Sequence, residues 1–133
     1  MSHPWLHAVS SAHKFGGQPE DYIEIHRWLD QTKEYFCDYR HRALRHHAEG
    51  IFECERVFGV TIQNSLGKTV PVRPVAEQHI REDCGGFIPS VSDWLRCIKA
   101  EPWMNAPSID PTPQEILDSG RKVRPNFSKF IAD

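Results

Sequence analysis

Hydrophobic and polar positions along the first hundred residues alternate mostly at helical spacing. Trp5, Ala8, Val9 and Ala12 recur at that interval, and Gly16-Gly17 closes the run, which predicts a short helix over residues 3–14. From Pro19 to about Gln31, "PEDYIEIHRWLDQ" places Tyr22, Ile25 and Leu29 on one stripe, with acidic residues in the first turn where the helix dipole favours them. The pattern from about Glu34 to Phe58 predicts one longer helix with Leu44, Ala48, Ile51 and Phe58 on one side. Gly50 inside it costs about 1 kcal/mol relative to alanine, which points to close packing by a neighbour. At Gly59 the period changes. "VTIQNSLGKTVPV" reads as two β-branched runs around Asn64-Ser65-Leu66-Gly67, a hairpin near 60–73 with a four- or five-residue loop. "PVAEQHIRED" then predicts a helix opening at Pro74 and ending at Gly85-Gly86, and Ser90 with Asp93 resembles a capping box for a further helix, "VSDWLRCIKA".

Beyond Glu101 the composition shifts, with five of the ten prolines falling in the last 33 residues. That density predicts an extended tail with one short helix near Pro113 to Asp118. The expected fold is therefore mainly α: a compact domain of four to five helices over 1–100 with a small β-hairpin insert, and a proline-rich tail over 101–133. The tail is expected to pack on the domain, either anchored by Trp103 and Phe127 with no partner at all or serving as the contact surface for a protein partner.

The composition excludes more than it selects. A chain of 133 residues suits one domain, and a formal charge of −2 gives no global attraction to nucleic acid or an acidic membrane. No apolar run has the length of a membrane span, and the N-terminus lacks the pattern of a secretory signal, so a cytoplasmic location is expected. Cys37, Cys54, Cys84 and Cys97 are too widely spaced for a zinc ribbon and are expected to be free thiols. Phosphate loops, the nucleophile elbow and the HExxH motif are all missing. Histidine, eight residues of 133, is the unusual feature.

Helical geometry assigns most of these histidines to faces. On the helix after the hairpin, His79 and Asp83 lie with Val75, Ala76 and Ile80 on the apolar side. His26 and Asp30 repeat that i, i+4 pair beside Tyr22 and Leu29. In "RHRALRHHAEG" a continuous helix would put His47 at the centre of the buried face with Leu44, Ile51 and Cys54, and His46 and His41 at its edges. His26, Asp30, His47, His79 and Asp83 are thus the candidate ligands of a divalent metal, zinc first and iron or manganese next. An open coordination position would support hydrolysis of a phosphoester or related bond, with His46 or Arg40 near the substrate. The competing reading is a buried polar network that fixes helix registry in a non-enzymatic interaction or regulatory module.

"DYIEIHRWLDQTK", "RHRALRHHAEGIFECERVFG" and "VPVRPVAEQHIREDCGGFIPSVSDWL" resemble a family of small histidine-rich proteins of bacterial and phage genomes, classed as a domain of unknown function. The resemblance runs from about Leu6 to Leu95. It implies a cytoplasmic accessory protein and carries over no catalytic residue.

Overall fold

The computed structural model describes residues 3–107 and 112–119, and the chain divides into one unit ending at Ile98 and another beginning at Lys99. Helix α1 (Pro4–Phe15) starts where the His3 side chain accepts the Trp5 N–H and stops at Gly16, whose φ of 86° is open to glycine without strain. Pro19 opens a 3₁₀ turn, Pro19–Asp21, and α2 (Ile23–Asp30) follows as the expected second helix, shortened by turns at both ends.

The expected single helix over 34–58 is not one helix. A 3₁₀ turn (Tyr39–His41) runs into the four-residue α3 (Arg42–Arg45), the chain bends at His46 and His47, and α4 (Ala48–Phe58) begins afresh. Strands β1 (Thr61–Gln63) and β2 (Thr69–Pro71) pair antiparallel with Ile62 opposite Val70, joined by a five-residue loop, 64–68. Helix α5 (Val72–Asp83) starts two residues before Pro74. The capping box expected at Ser90 is present, with the Ser90 hydroxyl accepting the Asp93 N–H, and α6 (Val91–Leu95) is short.

Helix α5 packs against α1, α2 and α4. The hydrophobic core gathers Tyr22, Ile25 and Leu29 of the α2 region, Ile51 and Cys54 of α4, Val70 of the hairpin, and Val72, Val75, Ala76 and Ile80 of α5. The architecture is mainly α with one hairpin. Seven α-helices are found among the described residues, none long and apolar enough to cross a membrane. All four cysteines are free thiols. In the second unit a 3₁₀ turn (Pro102–Asn105) precedes α7 (Pro113–Ser119), where the short tail helix was expected. Trp103, an expected anchor, is 73% exposed, and Phe127 lies outside the described residues.

Candidate metal centre

The bend between α3 and α4 decides which histidine enters the interior. Arg45 is the last residue of α3, and His46 leaves helical geometry with φ −87° and ψ 69°. His47 is extended and caps α4: its Nδ1 accepts the Gly50 N–H at 2.9 Å, while its Nε2 lies 3.1 Å from the Leu44 carbonyl oxygen. The close neighbour that Gly50 implied is the chain itself, because a Cβ there would stand 2.0 Å from the Arg45 carbonyl oxygen. Trp94 Nε1 donates to the His46 carbonyl at 2.9 Å and fixes the far side of the bend.

Of the five expected ligands, the structure brings Asp30, His79 and Asp83 together, and it sets His46 where His47 was expected. His47 is buried but occupied by its capping role, so it presents no free nitrogen to the group. A continuous helix would have carried His47 inward; the bend rotates His46 inward instead. His26 is fully buried and meets the group from behind, through His79.

One ligand atom from each of Asp30, His46, His79 and Asp83 lies within 4.8 Å of every other. His79 Nε2 is 3.1 Å from His46 Nε2, 3.1 Å from Asp30 Oδ1 and 3.2 Å from Asp83 Oδ2. His46 Nε2 is 3.0 Å from Asp83 Oδ2 and 3.4 Å from Asp30 Oδ1. The four side chains come from the end of α2, the α3–α4 bend and two successive turns of α5, and each is at most 5% exposed.

The opposite end of three of these four side chains is tied down. Asp83 Oδ1 is 3.3 Å from His7 Nε2 and 3.7 Å from an Arg42 guanidinium nitrogen. Asp30 Oδ2 faces Lys33 Nζ at 3.6 Å. His79 Nδ1 is 2.8 Å from His26 Nδ1, whose Nε2 is 2.7 Å from the Ser11 hydroxyl. Partners that hold the outer atoms in this way aim the inner ones at a common point.

Electrostatics favour two carboxylates and a neutral His26. Burial works to raise Asp30 and Asp83, but the adjoining rings of His46 and His79, and for Asp83 also His7, hold both well below the usual carboxylate range. Burial, followed by the neighbouring His79 and His7 rings, pushes His26 down to about 2. His7 moves the other way. Burial alone would lower it, but hydrogen bonds to Asp83 and Glu82 and the charges of those carboxylates raise it. His41, expected at the edge of the face, is fully buried against Thr32, and burial and His46 push it down to about 4. Arg40 is exposed, bound to Asp38 through two nitrogens and stacked on Phe36, so it takes no part in the group.

The hydrophobic pattern missed His46, His7 and Ser11. His7 and Ser11 stand at i, i+4 on α1, and with Ala8 they form its buried face. That face is polar, so an apolar stripe could not reveal it; the signal available was the HxxxS spacing, which matches the HxxxD pairs of α2 and α5. Beside Asp83 a groove of about 360 Å³ is walled by Phe87, Pro89 and Trp94, with Arg42 at its polar edge.

The model of one protein family, described as a domain of unknown function (DUF6915), matches residues 2–104. No curated protein and no solved structure matches the chain.

Proposed function

The chain belongs to this family of unknown function over most of its length, and we propose, from the site itself, that it binds one divalent metal ion, zinc in the first place, at Asp30, His46, His79 and Asp83. The convergence of the four ligand atoms carries the proposal. Zinc holds imidazole nitrogen at about 2.0–2.1 Å and carboxylate oxygen at about 2.0–2.2 Å, so tetrahedral ligands stand roughly 3.3–3.5 Å apart. Five of the six spacings among these atoms run from 3.0 to 3.4 Å, and the sixth, between the two carboxylate oxygens, is within 4.8 Å.

A network of protons alone accounts for this arrangement poorly. Both Nε2 atoms face the same two carboxylates at 3.0–3.4 Å, so each ring would have to donate there. The two N–H groups would then abut at a nitrogen separation of 3.1 Å. A cation at the centre turns both nitrogens into acceptors of one bond each, and two carboxylates offset its charge.

Four protein atoms fill a tetrahedral shell. That favours a metal held for stability or sensing over a hydrolase, which needs an open position for water. The test is elemental analysis of the protein purified without a histidine tag, followed by melting curves with and without chelator. About one zinc per chain and a melting temperature that falls on chelation are expected, since the metal binds the folded state. Less than roughly 0.2 metal per chain with unchanged melting would sink the proposal.

A further inference from the structure

We propose that Ser11 and Gln78 act through His26 to hold His79 in the tautomer whose Nε2 is bare, making them positioning residues for the metal. This inference rests on the metal reading above and names what controls the affinity of that site.

The direction of each hydrogen bond follows from the end of the chain that has no choice. Gln78 Nε2 lies 2.9 Å from the His7 carbonyl oxygen and 2.7 Å from Glu82 Oε1. Both of those atoms only accept, so the amide nitrogen faces them and Gln78 Oε1 faces Ser11. The Ser11 hydroxyl is 2.6 Å from that Oε1 and 3.1 Å from the His7 carbonyl oxygen, two acceptors that claim its single proton. Its oxygen is left with lone pairs for His26, and His26 Nε2 must donate across the 2.7 Å gap.

His26 is fully buried, and among the described residues its two nitrogens meet only Ser11 and His79 at hydrogen-bond distance. With no carboxylate in contact, burial keeps the ring neutral with one proton, the one on Nε2. Its Nδ1 therefore presents a lone pair to His79 Nδ1 at 2.8 Å, and His79 must donate there. A neutral His79 then has no proton on Nε2, the atom that faces Asp30, Asp83 and His46. The chain of three bonds thus prepares a ligand lone pair among carboxylate oxygens, where a cation is the natural occupant.

The test combines zinc affinity with ring tautomers. Long-range proton–nitrogen NMR spectra of the zinc-loaded wild-type protein should show His26 protonated on Nε2 and His79 on Nδ1. Ser11→Ala removes the oxygen that fixes His26, and zinc affinity measured against a chromophoric chelator should weaken about ten- to a hundredfold. Ser11→Thr keeps the hydroxyl and should restore most of that affinity. A Ser11→Ala protein that melts earlier without metal yet binds zinc as tightly as wild type overturns the inference, because its role is then structural only. Should that variant not fold, the wild-type spectrum decides alone: zinc bound with His26 protonated on Nδ1 overturns the lock and leaves the metal site standing. No zinc uptake by the wild-type protein overturns both.

Discussion

His46 and His47 are adjacent in sequence and differ in what each nitrogen does. His46 Nε2 faces the two aspartates and His79, whereas both nitrogens of His47 are spent on backbone at Gly50 and Leu44. Replacing one or the other therefore separates ligand from cap. His46→Ala is expected to lose zinc, with less than about 0.2 metal per chain surviving chelator challenge. His47→Ala is expected to keep zinc near one per chain while losing about 1 kcal/mol of stability with its cap, a drop of roughly 4–8 °C in melting temperature. Loss of metal in His47→Ala, with His46→Ala still loaded, would restore the ligand set expected from sequence. At this scale three members of the buried group were legible: Asp30, His79 and Asp83 could be assigned to buried faces from helical spacing because α2 and α5 are uninterrupted where these residues stand. His46 was not, because its orientation depends on one bend and not on a period.

That bend belongs to the scale of the element, and Gly50 is its signature. Glycine in a helical pattern points to packing against a neighbour, and the neighbour is the Arg45 carbonyl, 2.0 Å from where a Cβ would be. Contact at that distance with backbone leaves no flexible side chain to yield, so Gly50→Ala must open the corner between α3 and α4. A cost of about 1–3 kcal/mol is expected. Since His46 sits at the corner, weaker zinc binding should accompany the lower melting temperature. An alanine variant with wild-type affinity would show that His46 is held by Trp94 and not by the corner. The other elements were easier to read because their ends are written in local chemistry: Pro4 and Gly16 for α1, the Asn64 to Lys68 loop for the hairpin, Ser90 with Asp93 for α6. The inward face of α1 stayed hidden, since His7 and Ser11 bury polar atoms where a periodicity argument looks for hydrocarbon.

Across the whole molecule the consequence is an interior with six buried imidazoles, His7, His26, His41, His46, His47 and His79, beside a modest hydrophobic core. Such an interior ties stability to pH. His26 and His41 are lowered to about 2 and about 4 in the folded chain, below the ordinary imidazole value of 6.5. The unfolded chain therefore binds protons first as pH falls below that value, and stability falls with it. His7, raised by Asp83 and Glu82, has the opposite sign: its contribution is present below the ordinary value and fades as pH rises through its folded one. As pH falls below the ordinary value, His7 becomes charged in both states and the two lowered groups outweigh it, so the denaturant midpoint of the metal-free protein should fall steadily from about pH 6.5 to 5, a window above the titration of ordinary carboxylates. Zinc should raise the midpoint at the upper end and progressively less towards pH 5, because its imidazole ligands must shed their protons to bind. A metal-free midpoint that stays level or rises over this window would mean that His26 and His41 take up protons inside the folded chain. In that case His26 would not be the neutral ring on which the proposed orientation of His79 depends.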